Sequence, residues 1–346
     1  MPESQSPVPV PAGLDPSKPG IVHDVMSEDL RLVNTLMGGT KAMREAGKLY
    51  LPQEPKETST LYNNRLRRSF LFNAFKKTIG DLVGRPFSKV VGLSDDSSQE
   101  FVDMEPNVDQ AGRTLNAFGR DLFTYGTIDG MAHVLVDYPR TDGTLTLAEE
   151  RQQGVKPFFV LIKSTDLIYF ESARIGGAEV LTRIRFNEHS VGALPNGGQE
   201  IVRKIREYAL TDAGAEWKLY APSEISAASN NKTSSWVIEG SGPVTIGKIP
   251  LVTFYTNREG FMYASPPLMP LAELNLQHWQ ETSDQNNILH VARVPMLFGA
   301  GFEKSELASA VIGASSAIRS SNAAAQLRYV EHTGAAIGAG RQSIST

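Results

Sequence analysis

The sequence contains no cysteine, and its 346 residues carry a net charge of −4 with a pI of about 5.9. The absence of cysteine excludes disulfides, thiolate metal sites and cysteine nucleophiles from this chain. Proteins that bind nucleic acid through its phosphates are usually basic, so the net negative charge argues against tight binding to phosphates. No apolar run reaches the roughly 18–20 residues needed to cross a bilayer, and we therefore expect no membrane-spanning helix.

Recognisable catalytic motifs are also missing. None of the six histidines falls in a His-Glu-x-x-His pattern, and His133 lies in an apolar stretch typical of a core strand. No Gly-x-Ser-x-Gly elbow occurs. Gly192 and Gly197 have the spacing of two P-loop glycines, but the lysine position that follows is occupied by Gly198. The sequence therefore predicts no enzyme, no cofactor and no metal site.

The distribution of turn and apolar residues predicts an α+β fold. Six prolines within the first twenty residues indicate a flexible arm over residues 1–22. Helices are predicted over 28–46, with Ser27 as N-cap, and over 61–83 and 109–125. Between about 132 and 256 the pattern is mostly that of strands separated by turns, which indicates an antiparallel meander.

A local excess of positive charge covers the second predicted helix. Residues 41–89 hold eleven lysines or arginines against four acidic residues. This pattern favours contact with phosphate or with an acidic neighbouring subunit, and a solvated helix face is the alternative. The candidate contact residues are Arg65, Arg67, Arg68, Lys76, Lys77 and Arg85.

A long helix is predicted over 268–290, and its surface pattern is unlike that of a core helix. It contains eight consecutive polar residues, 280–287, which a buried helix would not tolerate. On a helical wheel, one polar or acidic set falls within about 80°. Its members are Glu273, Gln277, Gln280, Asp284 and Asn287. A ring of such helices would enclose a polar, mildly acidic bore in which DNA slides without sticking. An ordinary exposed helix is the alternative.

Several short motifs, taken in order, resemble the portal proteins of tailed bacteriophages. More closely, they resemble a family of portal-like phage proteins catalogued as a domain of unknown function. The matching segments are Leu49-Tyr50-Leu51-Pro52, Tyr62-Asn63-Asn64-Arg65-Leu66, Phe72-Asn73-Ala74-Phe75, Thr78-Ile79, Leu82-Val83-Gly84-Arg85, Tyr125-Gly126, Pro266-Pro267-Leu268, Leu271-Ala272-Glu273-Leu274-Asn275, Tyr329-Val330-Glu331 and Gly334-Ala335-Ala336-Ile337. The resemblance as a whole covers about residues 30–346.

The resemblance implies a portal-like architecture. It comprises a wing of helices and antiparallel strands over 23–264, a stem helix over 265–292 and a small α/β clip over 293–346. A second stem helix, a tunnel loop and a crown are expected to be absent from this chain. In the clip, the implied contacts to terminase and adaptor are Phe302, Glu303, Lys304, Arg319 and Arg328.

The resemblance also implies partners and a location. The full-length protein would form a dodecameric ring at one capsid vertex of the virion, after assembly in the host cytoplasm. Its other partners would be the large terminase, a head–tail adaptor, a capsid or scaffold protein, and double-stranded DNA passing non-specifically, with no membrane. The alternatives are another head–tail connector or capsid protein, an unrecognised soluble hydrolase, and a nucleic-acid binder that uses the basic helix over 61–89.

Overall fold

The fold is described from a computed structural model. The described residues are 8–11, 13–139, 146, 148–149, 152, 154–194, 197–212, 214–222, 236–292, 296–302 and 322–330. They combine α-helices with antiparallel sheets, so the predicted α+β class is confirmed. In this part of the chain, no helix is long and apolar enough to cross a membrane.

The chain divides into two compact units, and each unit is built from two separate stretches. The first unit comprises Met1–Met37 and Asn73–Ala272, and the second comprises Gly38–Phe72 and Glu273–Thr346. This division differs from the domain boundaries expected from the sequence, because residues 38–72 group with the long helix. The wing, stem and clip boundaries themselves stay a prediction.

The helices and strands follow in chain order. The α-helices of the described residues are α1 Ile21–Met37, α2 Gly39–Ala46, α3 Ser59–Arg68, α4 Ala74–Gly84, α5 Gln99–Met104, α6 Leu115–Asp129 and α7 Met269–Ala292, with short 3₁₀ turns at Gly47–Leu49 and Pro86–Ser88. The strands are β1 Val8–Pro9, β2 Met131–Asp137, β3 Phe158–Lys163, β4 Leu167–Ile175, β5 Ala178–Ala193, β6 Gln199–Thr211, β7 Gly214–Pro222, β8 Trp236–Val244, β9 Leu251–Tyr255, β10 Arg258–Gly260, β11 Tyr263–Ala264, β12 Met296–Ala300 and β13 Gln326–Val330.

Two antiparallel sheets form the body of the first unit. Strands β4 to β8 make a sequential meander, with β1 on the outer edge of β8, and a smaller sheet has the order β3-β2-β9. A hydrophobic core contains residues of both sheets, such as Leu135 and Ile162 from the smaller one and Ile184, Phe186 and Tyr208 from the larger one. The alternation of apolar and polar residues along these strands therefore reflects the burial of one face of each sheet.

Two of the predicted helix boundaries differ from those in the structure. The first helix begins at Ile21, and Ser27 lies inside it with its hydroxyl donating to the carbonyl oxygen of Asp24 at 2.7 Å. The predicted helix over 61–83 is two helices, because the side chain of Asn73 accepts the Lys76 amide at 2.9 Å and starts α4 afresh. An asparagine that binds a nearby backbone amide competes with the continuous helix in this way.

A glycine fixes the junction between α6 and β2. Gly130 adopts a left-handed conformation (φ 88°), and a Cβ at this position would lie 2.2 Å from the carbonyl oxygen of Ser265. Its own carbonyl oxygen accepts the amides of Thr256 and Asn257 at 2.9 and 3.1 Å. Only glycine satisfies both the backbone conformation and the close approach.

A buried carboxylic acid lies immediately before this junction. Asp129, which is 1% exposed, accepts a hydrogen bond from the side-chain amide of Asn34 on α1 at 2.8 Å. Its second carboxyl oxygen has no partner among the described residues. Burial raises the pKa of Asp129 from 3.8 to about 7, against the smaller opposing effect of the Asn34 hydrogen bond.

Replacing this acid should change how stability depends on pH. The folded state keeps the proton on Asp129 up to about pH 7, whereas the unfolded state loses it near 3.8, so wild-type stability should fall as the pH rises between these values. The D129N variant removes this dependence. We expect it to be more stable than wild type by about 2–4 kcal/mol at pH 8 and similar to wild type at pH 4.

Urea unfolding at several pH values measures this difference. The matched control is D121N on the same helix, where the carboxylate is about half exposed and pairs with Arg113. Its effect should stay below about 1 kcal/mol. Equal destabilisation of D129N at pH 4 and pH 8 would contradict the assignment.

Candidate functional site

One face of helix α7 is exposed along most of its length. We call the exposed stripe the set Glu273, Leu274, Gln277, Glu281, Asp284 and Ile288. The opposite face is buried at Ala272, Asn275, Trp279 and Ser283. The exposed stripe contains three carboxylates and no lysine or arginine, so it presents negative charge between Glu273 and Asp284.

Residues 50–72 bind one flank of α7 through backbone carbonyl groups. The side-chain amide of Gln280 donates to the carbonyl oxygen of Tyr50 at 2.8 Å, and that of Asn275 donates to Phe72 at 2.9 Å. Arg68 on α3 donates to the side-chain oxygen of Asn287 at 3.1 Å. These carbonyl groups lie outside regular structure and need donors, which the polar side chains of α7 supply.

Arg65 is the most connected residue of this region. Its guanidinium binds both carboxylate oxygens of Glu57 at 2.8 and 2.9 Å. It also donates to the carbonyl oxygen of Pro52 at 2.7 Å and to Asp284 on α7 at 3.1 Å. The Arg65 side chain is 4% exposed. A buried guanidinium with this many partners fixes the positions of the groups around it.

The contacts of Arg65 determine the direction in which the pKa values of the neighbouring carboxylates are shifted. The Arg65 hydrogen bonds hold the pKa of Glu57 below its usual value, and Glu57 in turn raises the pKa of Arg65. The pKa of Asp284 is raised, because partial burial outweighs the opposing attraction of Arg65. The pair Arg65 and Glu57 is thus ionised over the ordinary pH range.

The predicted channel-lining residues divide into two groups. Glu273, Gln277 and Asp284 belong to the exposed stripe, whereas Gln280 and Asn287 lie on the flank that binds residues 50–72. Whether any of them lines a channel stays a prediction. Two members of the stripe lie outside the predicted polar set: Leu274, which is 61% exposed, and Glu281, which extends the acidic set.

The expected surface role of the basic residues needs correcting for Arg65. Its burial and its ionic partners inside the protomer leave no free face for phosphate. Arg67 and Arg68 on α3 are exposed, as are Lys76, Lys77 and Arg85. These residues do not form one continuous basic helix, because α3 belongs to the second unit and α4 to the first. Glu57, which neutralises Arg65, was not predicted, because it precedes α3 and reaches Arg65 through the fold of the chain and not through a contact within a helix.

The predicted clip contacts are described only in part. Phe302 follows β12, and Arg328 lies on β13 with its guanidinium 5.3 Å from the centre of the Phe298 ring. Strands β12 and β13 pair antiparallel, with Phe298 opposite Arg328. Glu303, Lys304 and Arg319 lie outside the described residues.

Two clefts in the first unit are relevant to the alternative that the protein is an unrecognised soluble hydrolase. One, of about 600 Å³, is lined by residues 13–26 and β4, with Arg185 at its base; Arg185 forms a buried ion pair with Glu207. The other, of about 360 Å³, contains Arg206, which binds Glu188 at 2.6 Å. Both arginines are thus paired with structural carboxylates.

One buried histidine lies on strand β2. His133 is fully buried on β2, as expected for a core residue, with Nδ1 2.9 Å from the Thr253 hydroxyl. Burial lowers its pKa to about 3, so the ring is neutral. No group of three histidine or carboxylate side chains able to hold a metal ion occurs in the described part of the chain.

Comparison with known families gives one match. Residues 267–346 match the family model described as "Domain of unknown function (DUF4055)". The matched range begins within three residues of the start of α7. No curated protein matches the chain. The matched range includes the long helix and the β12–β13 pair, and the match carries no activity with it.

Removal of the Arg65 charge should destabilise the second unit strongly. The R65M variant keeps the aliphatic volume but leaves Glu57, which is 9% exposed, without its cation. We expect a loss of about 3–5 kcal/mol in unfolding free energy. Hydrogen exchange should also become faster in the α7 amides around Asp284.

R67M is the matched control, since Arg67 is an exposed arginine on the same helix. Its effect should be within about 0.5 kcal/mol. Similar losses in the two variants, measured by urea unfolding, would contradict the central role of Arg65.

Proposed function

We propose that this chain is a subunit of a ring-forming portal through which double-stranded phage DNA is packaged and ejected. The observation that supports it best is the exposed stripe of α7, which contains three carboxylates, one amide and no cation beside two apolar side chains. Around a bore, several copies of it would give DNA a path without strong attachment.

The physical argument concerns repulsion and length. Carboxylates repel phosphates at distances up to the Debye length, about 8 Å at physiological salt. A helix of 24 residues is about 36 Å long, close to one turn of B-form DNA. The carboxylates of the exposed stripe lie between Glu273 and Asp284, about 17 Å along the helix axis, so a ring of α7 helices would present negative charge to about half a DNA turn and keep the DNA mobile.

The remaining roles are proposed from the resemblance of the sequence motifs. The protein would be structural and not an enzyme, would need no cofactor, and would be located at the capsid vertex. The large terminase and the head–tail adaptor would contact the region around Phe302 and Arg328, and a capsid or scaffold protein would surround the ring. The family match over 267–346 includes this region and supports treating it with α7 as one functional segment.

The first prediction is the assembly itself. The purified full-length protein should form a closed ring of about twelve copies with a bore of at least about 20 Å, wide enough for duplex DNA. Native mass spectrometry gives the number of copies, and negative-stain electron microscopy gives the bore. A closed ring with a narrower hole would favour another head–tail connector, and a monomer at all accessible concentrations would overturn the proposal.

The second prediction concerns charge in the bore. The E273K/Q277K variant places two lysines on the exposed stripe, and the assembled ring should then bind duplex DNA about tenfold or more tightly than wild type, with a steeper salt dependence. Fluorescence anisotropy with a labelled duplex measures this change.

The matched control is Q99K/E100K, which makes the same two substitutions at exposed positions of α5 in the first unit. Its effect on DNA affinity should be small. Equal gains in the two variants would mean that the exposed stripe does not face the DNA.

A further inference from the structure

The side of α3 that faces away from α7 forms a shallow groove. Arg65 and Arg68 point toward α7, where they reach Asp284 and Asn287. Residues about half a helical turn away from them must therefore face outward. The α3 groove, of about 440 Å³, is lined by Thr60, Asn63, Asn64, Leu66 and Arg67.

The α3 groove has a defined chemistry. It offers one guanidinium, two side-chain amides, one hydroxyl and the aliphatic edge of Leu66. Phe70, two residues beyond the end of α3, is a large apolar side chain that is 62% exposed. Helix α3 contains no acidic residue. Its outer face therefore suits a partner that combines apolar side chains with a carboxylate.

One edge of the exposed stripe has the complementary chemistry. Leu274, Glu281 and Ile288 follow each other at intervals of seven residues and so lie on one line along α7, about 10 Å apart. Leu274 is 61% exposed and Ile288 is 52% exposed. A carboxylate thus lies between two exposed apolar side chains.

We propose that this edge of α7 binds the α3 groove of a second copy of the chain, with Glu281 facing Arg67. Leu274 and Ile288 would pack against the neighbour's Leu66 and Phe70. The two surfaces differ from each other and lie on one protomer, so the contact is heterologous and repeats from copy to copy into a ring or a filament. The inference rests on the proposed function, to which it adds the surfaces that join the subunits.

This contact is compatible with a bore on the other edge of the stripe. Glu273, Gln277 and Asp284 lie about 20–100° around the helix from Leu274, Glu281 and Ile288. One edge can therefore face a neighbouring copy while the other faces the centre of a ring. The proposal predicts different consequences for substitutions on the two edges.

Cysteine crosslinking tests the contact directly, because the natural chain contains no cysteine. Under mild oxidation, the double variant N63C/E281C should give a ladder of dimers, trimers and higher species on a non-reducing gel. Each single variant can give dimers at most. The control N63C/E100C, with the second cysteine on α5, should give no ladder.

Charge exchange provides a second measurement that does not depend on crosslinking. R67E and E281R should each raise the protein concentration needed for half-assembly by about tenfold, since each places like charges opposite one another. The double variant R67E/E281R should restore assembly, and circular dichroism should show that all three variants are folded.

The outcomes separate this inference from the proposed function. A ladder together with rescue by the double variant supports the contact. A wild-type ring with neither ladder nor rescue would overturn the pairing of these surfaces and leave the portal proposal standing. A wild-type protein that stays monomeric would overturn both.

Discussion

The second unit depends on one buried cation. A guanidinium removed from water is costly unless its partners replace the lost hydration, and the penalty amounts to several kcal/mol per ion. Glu57 provides the countercharge, the Pro52 carbonyl group accepts a further hydrogen bond, and Asp284 brings α7 into the same network. Because all these groups must meet at Arg65, residues 50–72 and α7 can associate in only one register. The orientation of every exposed side chain on α7 follows from that register.

Helix α7 therefore has two kinds of polar residue that look alike in the sequence. Gln280 and Asn287 bind the chain's own backbone or side chains, while Glu273, Gln277 and Glu281 remain on the surface. The first kind fixes the helix, and the second kind is available to partners. This distinction explains how a helix with eight consecutive polar residues can be both well anchored and strongly polar outside.

Sequence periodicity predicted the fold class and most strands, because alternation and turn residues are local signals. It also predicted α7 to within two residues of its start and end. It failed to predict the break between α3 and α4, because the Asn73 side chain binds a nearby backbone amide. It also placed Arg65 on the surface with Arg67 and Arg68, although Arg65 is buried by contacts with residues distant in the sequence. The exposed stripe was predicted in part, since a wheel gives angles but not which side is covered. The contacts of Tyr50 and Phe72 with α7 show which side of the helix is covered.

The division of the second unit between two distant stretches has a consequence for biosynthesis. Arg65 and Asp284 are separated by 219 positions, and a ribosome adding about 5–20 residues per second needs about 10–40 s to cover that interval. During this time Arg65 and Glu57 have emerged without α7, while the intervening residues of the first unit can already fold. Completion of the second unit is therefore a late event, and in a nascent chain Arg65 lacks its contact with Asp284 until the long helix has been made.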